Sequence, residues 1–198
     1  MTAEFTENWF DPSVLEIHLS HLKDQRNLKF LEIGTFEGKS AVWMLDNFAC
    51  SVLTIDPCIT DPIEAYADKI NPSIEKRAIA NLSGYGDRAM FYKRFSEDLL
   101  PQLPLNFYDF IFIDGDHRRA AVAKDSKLAW PLLRDGGIMI WDDYTWQAIG
   151  HEGDPEYSPK LAIDEFLEDH IDFDLDILHR DYKVVVRKRH LNYVEIMC

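Results

Sequence analysis

Apolar positions fall into short blocks along this chain, and the spacing within the blocks is of two kinds. Leu15, Leu19 and Leu22 recur at helical spacing after Asp11-Pro12, which reads as an N-cap with proline at the first helical position. LKFLEI (28–33) is a short apolar strand ending at Gly34. The pattern then predicts a helix over SAVWMLDNF (40–48), a strand over SVLTID (51–56) and a helix over SIEKRAIANL (73–82). A loop, SGYGD (83–87), and a strand, AMFYK (89–93), follow. SEDLLPQL (96–103) reads as a short helix interrupted by Pro101. YDFIFID (108–114) and GIMIWDD (137–143) are nearly continuous apolar runs, typical of strands buried on both faces. Between them RRAAVAKDSKLAW (118–130) is helical and is closed by DGG (135–137). SPKLAIDEFLEDH (158–170) carries Ser158 as N-cap and Pro159 at the first helical position. DLDILHR and YKVVVRKR are the last two strands, joined through Asp181.

Strands that alternate with helices imply βαβ units. The expected fold is α/β: a Rossmann-like three-layer sandwich around a mostly parallel sheet. Too little chain separates the last two strands for a crossover, so they form an antiparallel hairpin. Ligands in such sheets bind outside the carboxyl ends of the strands. Four clusters fall there: Gly34 to Ser40, Asp56 to Cys58, Asp114 to His117, and Asp142 to Trp146.

A chain of 198 residues suits one domain. Residues 1–27 read as an N-terminal helical extension and 28–198 as the ligand-binding domain. No apolar run approaches a membrane span, and MTAEFTENWFDP has no basic or apolar leader region. Three cysteines, Cys50, Cys58 and Cys198, form no CxxC pair, which fits reduced thiols and a cytoplasmic location. The net charge of −14 argues against nucleic acid or an anionic membrane as partner, since both need a basic footprint. The basic stretch Arg187 to His190 continues an alternating strand. A small molecule is the expected partner.

FLEIGTFEGKS (30–40) comes close to a phosphate-binding loop, but Ile33 stands where the first glycine belongs. Gly34 and Gly38 permit a sharp turn and close backbone approach to a ligand. Glu32 and Glu37 beside them would repel polyphosphate. Phe36 replaces the second glycine of a dinucleotide fingerprint. Carboxylates suit a cationic ligand without phosphates, such as S-adenosylmethionine. Asp56, at the end of the second strand, can accept hydrogen bonds from ribose hydroxyls, a device that nicotinamide sites share.

LEIGTFEGKS, LTIDP, YDFIFIDGDH and GGIMIWDDY, in that order, resemble class I S-adenosylmethionine-dependent methyltransferases. The similarity is greatest to the branch with caffeoyl-CoA-type and macrocin-type sugar O-methyltransferases, whose final hairpin DILHRDYKVVVRK also resembles. It implies a seven-stranded sheet with one antiparallel strand. It implies that Glu32, Gly34 and Ser40 line the methionine and ribose side of the cofactor and that Asp56 holds the ribose. Ser96 would lie near the adenine, and Asp116 within reach of the cofactor's amino group. Phe36, Gly38 and Asp114 complete the implied cofactor set. Relatives often pair, so a homodimer is expected.

Asp114, Asp142 and Asp143 end neighbouring strands in the family order, with strand ends roughly 5 Å apart. Three carboxylates at one point call for a cation, and oxygen ligands select Mg²⁺, or Mn²⁺ or Ca²⁺. The metal would hold two adjacent hydroxyls and lower the pKa of one. Two residues compete as the base, Asp116 and His117, with Asp116 matching the sugar enzymes. Tyr144, Trp146, His151 and Tyr157 on the long loop 144–160 are candidates for a pocket wall. ENWF (7–10) suits a lid, packing under the sheet, or contact with another subunit. The expected function is metal-dependent O-methylation of a sugar or polyhydroxy compound. A metal-independent methyltransferase and a non-catalytic cofactor-binding module are the alternatives.

Overall fold

The computed structural model describes residues 3–59, 73–172 and 174–190. Cys198 lies outside them; Cys50 and Cys58 are both free thiols. The elements are α1 (Ser13–His18), β1 (Arg26–Ile33), α2 (Lys39–Asn47), β2 (Ala49–Ile55), α3 (Ile74–Leu82), β3 (Ala89–Tyr92) and α4 (Ser96–Leu99). They continue with β4 (Tyr108–Ile113), α5 (Arg119–Ala129), β5 (Leu133–Trp141), α6 (Pro159–His170), β6 (Leu175–Arg180) and β7 (Val184–Lys188). The strands form one seven-stranded sheet in the order β3-β2-β1-β4-β5-β7-β6. β3, β2, β1, β4 and β5 run parallel, while β7 is antiparallel to β5 and to β6. The chain therefore has the Rossmann-like three-layer architecture and the C-terminal hairpin expected from its pattern.

Alternation along each strand builds two cores. Phe30, Val52, Phe110 and Ile140 face Leu15, Leu19, Met44 and Leu82 of the α1, α2 and α3 layer. Leu31, Ile111, Met139 and Trp141 face Leu99, Val122, Ile163 and Phe166 of the α4, α5 and α6 layer. Trp141 is fully buried, and its indole N–H donates to Ser126 Oγ at 2.8 Å, so burial leaves no donor unpaired.

Several boundaries differ from the pattern. α1 begins one residue late: Pro12 occupies the N-cap position, and the Asp11 carboxylate accepts the Ser13 N–H at 2.9 Å. Residues 3–10 form no helix, and the N-terminal helical structure is confined to α1 and a 3₁₀ turn over Ser20–Leu22. DGG does not close α5. That helix stops at Ala129 and passes into a 3₁₀ turn containing Pro131, which has no N–H with which to continue it. DGG instead lies inside β5, with Gly136 at φ 75°, beside a register shift between Tyr108 and Phe110.

Candidate active site

The carboxyl ends of β1, β2, β4 and β5 open into one cleft of about 1010 Å³. Gly34, Phe36, Ser40, Asp56, Ser96, Asp114, Asp116, His117, Asp142 and Asp143 all line it. Glu32 and Gly38 do not reach its wall among the described residues. Gly38 caps α2 in the left-handed conformation (φ 82°). Three non-glycine residues on the cleft wall also take positive φ: Phe36 (46°), Cys58 (55°) and Asp143 (56°). Such backbone strain gathers where a site fixes its geometry.

The β1–α2 turn is fixed from three sides. Gly34 N–H donates to Ile55 C=O at 2.9 Å, and Asp114 N–H donates to Ile33 C=O at 2.8 Å, which locks the turn against the ends of β2 and β4. The Asp56 carboxylate accepts Phe36 N–H at 2.8 Å and Cys58 N–H at 2.6 Å. Burial still raises its pKa despite those bonds. Glu37 is buried and accepts the Thr6 N–H at 2.6 Å, the Thr6 hydroxyl at 2.7 Å, and an ion pair from Arg77 Nε at 2.8 Å. It thus ties the N-terminal segment to the loop rather than facing a ligand. Beyond Thr6, Trp9 packs on Phe36 with ring centres 5.0 Å apart. Phe10 packs edge-on to Phe112 at 6.2 Å. Glu7, Trp9 and Phe10 all line the cleft, so this segment covers the site and packs on the sheet at once.

Glu32 lies behind Ser40. The Ser40 and Thr54 hydroxyls both donate to its carboxylate, which is fully buried. Burial lifts its pKa from 4.5 to about 7. The folded value is the higher one, so ionising Glu32 costs stability. That cost is absent below pH 4.5, grows between pH 4.5 and 7, and above pH 7 amounts to about 3 kcal/mol. Glu32→Gln is therefore expected to melt above the wild type at pH 8, and the gap to close as the pH falls to 4.5. A gap that does not vary across that range would contradict this account.

The acidic cluster is sharply divided. Asp114 is held well above the usual carboxylate range by burial and by repulsion from Asp142 and Asp143, and its carboxylate accepts no hydrogen bond from the described residues. Asp142 has both oxygens engaged: one accepts Asp143 N–H at 2.8 Å, and the other takes the Lys183 ammonium in a buried ion pair. Burial keeps its pKa raised even so. Asp143 Oδ2 lies 3.0 Å from His117 Nε2, and the Tyr182 hydroxyl donates to Oδ1. Burial alone would raise the Asp143 carboxyl; His117, Tyr182 and Lys183 outweigh it and hold it low. Asp114, His117 and Asp143 each offer a ligand atom, all within 4.8 Å of one another. That donor set, with one carboxylate lacking a hydrogen-bond partner among the described residues, fits a divalent cation, and its imidazole broadens the choice from Mg²⁺ toward Mn²⁺. Asp116 is exposed by comparison, its carboxylate forked by the Arg118 guanidinium at 2.9 and 3.0 Å.

Ser96 lines the cleft with its hydroxyl proton already committed, donating to Asp125 at 2.5 Å. Asp125 itself lines the cleft, and burial raises it to about 6. It had a sequence signal. Val122, Asp125, Ser126 and Ala129 form a buried i, i+3, i+4, i+7 stripe on α5, and a carboxylate on such a stripe needs a reason. Lys183 and Tyr182 carry no local signal, and only the antiparallel register brings them to the site. Of the four loop residues considered for the wall, Trp146 lines it, 4.7 Å from the His117 ring. Tyr144 is buried, donating to Asp164 at 2.6 Å and accepting from Arg180 at 2.9 Å. His151 and Tyr157 pack on each other at 4.4 Å away from the cleft lining.

Comparison with known proteins places this arrangement in a family. A family model described as "Methyltransferase domain" matches residues 31–144, more than half of the chain. A relative from Acanthamoeba polyphaga mimivirus, named "Uncharacterized protein R132", is 32% identical over 134 residues, or 64% of this chain. The chain spans 56% of that relative's length. Among solved structures, the O-methyltransferase TomG of Streptomyces achromogenes, in complex with SAM, superposes with a TM-score of 0.62 at 18% identity, covering 89% of this chain and 78% of TomG. MycE, a methyltransferase of the mycinamycin biosynthetic pathway in complex with Mg and SAH, gives 0.62 at 15% identity, covering 96% of this chain and 52% of MycE. No described helix is long and apolar enough to cross a membrane. The glycine turn after β1, the carboxylate after β2 and the match across them show that this chain belongs to the methyltransferase-domain family.

Proposed function

We propose that the protein methylates a hydroxyl of a small polyhydroxy molecule, such as a sugar, with the help of a divalent cation. The observation that carries this reading is the Asp114 carboxylate, half-buried at the cleft, without a hydrogen-bond donor among the described residues, and grouped with Asp143 and His117. Asp114, His117 and Asp143 would hold the cation, as MycE's structure with Mg and SAH supports by likeness of fold. When bound, such a cation supplies charge that acidifies a coordinated hydroxyl. The chain's own residues do the remaining work. Asp56 receives the ribose hydroxyls, and the Gly34 turn brings backbone close to the cofactor. The Ser40 and Ser96 hydroxyls, whose protons go to Glu32 and Asp125, keep oxygen lone pairs with which to accept from it. Asp116 takes the acceptor's proton once Arg118 releases its carboxylate. Trp9 and Trp146 wall off water, and fixed orientation contributes much of the rate.

A second reading has its own observation. His117 Nε2 lies 3.0 Å from Asp143 Oδ2, an imidazole oriented by a carboxylate, and this pair can serve as a base without any metal. In either case the acidic cleft disfavours anionic acceptors such as CoA thioesters.

Calorimetric titration with S-adenosylhomocysteine tests the cofactor reading. Wild type is expected to bind at micromolar concentration, and Asp56→Ala to bind roughly 10- to 100-fold more weakly, the worth of hydrogen bonds to a charged acceptor. An unaffected Asp56→Ala would remove that residue from the site. Activity that survives EDTA would favour the His117–Asp143 base over the cation.

A further inference from the structure

Lys183 has no part in the proposed chemistry, yet it is buried beside it. β7 runs antiparallel to β5 with Trp141 opposite Val184, so the residue before β7 meets the residue after β5. Those residues are Lys183 and Asp142, and their side chains are 6% and 7% exposed. The Lys183 ammonium binds Asp142 Oδ2, while Asp143 N–H donates to Oδ1 at 2.8 Å. Asp142 thus has neither oxygen turned to a further cation. Once Asp114 is ionised, it and Asp143 supply two negative charges, matching one divalent ion, and the Asp142–Lys183 pair adds none.

We propose that Lys183 is a positioning residue that keeps Asp142 out of the cation's ligand set and restrains the cluster's affinity for divalent ions. The proposal rests on the cation reading of this site. Without the ammonium, Asp142 would be a third negative charge, free to turn toward the cation. A pair with a merely structural role predicts the opposite: breaking it would leave cation affinity unchanged or lower.

The test is Mn²⁺ titration followed by electron paramagnetic resonance on wild type, Lys183→Met and the double variant Asp142→Asn/Lys183→Met. Lys183→Met is expected to bind Mn²⁺ roughly tenfold more tightly, or better, since charges a few ångströms apart couple strongly even at an intermediate dielectric. The double variant removes both charges, which buried pairs often tolerate, and is expected to stay within roughly threefold of wild type. Unchanged or weaker binding by Lys183→Met would overturn the proposal. So would a tenfold loss in the double variant, which would make Asp142 a ligand; that comparison decides the matter if Lys183→Met alone does not fold. Mn²⁺ binding by none of the three would remove the cation reading and this inference with it. Titration of each variant with S-adenosylhomocysteine separates that failure from damage to the cofactor site.

Discussion

Asp114→Asn is expected to melt higher than the wild type and to lose methyl transfer by roughly 10³-fold or more. Removing one electrostatic contact to a reacting centre costs about that much. The stability gain has a separate origin. Asp114 ionises against burial and against two neighbouring carboxylates, and an amide of the same shape relieves both. Because its folded pKa is raised, the wild type bears this cost at high pH and sheds it on acidification, so the gap in melting temperature widens from pH 5 to pH 8. Transfer is read as S-adenosylhomocysteine release with a polyhydroxy acceptor found by screening. Full turnover by Asp114→Asn would exclude it from the chemistry. A lower melting temperature would mean that the carboxylate is partnered in solution.

Gly34→Ala should do the reverse, damaging the fold first and the chemistry through it. Gly34 sits at φ 96°, where an L side chain is strained. A Cβ there would lie 1.9 Å from the Asp114 carbonyl oxygen and 2.8 Å from Gly115 N. Both are backbone atoms of the β4 end, held by the hydrogen bond from Asp114 N–H to Ile33 C=O, so neither can step aside alone. Overpacking and conformational strain together amount to about 3–5 kcal/mol. A melting point lower by roughly 10 °C, with lost S-adenosylhomocysteine binding, is the expected result. Gly38→Ala is the comparison: its Cβ would meet only the Leu82 side chain, at 3.4 Å, so steric damage there is smaller. Equal melting of Gly34→Ala and wild type would show that the β1 and β4 ends separate more easily than their hydrogen bonding implies.

The sheet was legible because its signal is local. Each buried strand is an apolar run, each helix has a spaced stripe, and βαβ chirality and burial follow from the alternation. The carboxyl-end clusters followed from the same rule, and all four open into one cleft. What could not be read is non-local. Lys183 lies 41 residues beyond Asp142, and nothing near either announces the pair. ENWF has no periodicity, and three placements were equally open for it. Two long-range ties hold it over the cleft and against the sheet: Thr6 to Glu37, and Asn81 donating to the Glu4 carbonyl at 2.9 Å. Glu37 and Glu32 were both read as facing a cationic ligand. Spacing cannot tell a carboxylate on the cleft wall from one turned behind it, and both are turned behind.

The balance of charge on the cleft wall has a consequence for product inhibition. Among the described residues, nine carboxylate residues line it, against three lysines and arginines. On the proposed reaction, S-adenosylmethionine enters carrying a sulfonium, and transfer of its methyl group leaves a neutral thioether. Each turnover therefore deletes one of the positive charges by which the negative wall attracted the donor. The same field that concentrates the donor at the site weakens its hold on the spent cofactor, so the reaction itself loosens what must leave before the next cycle.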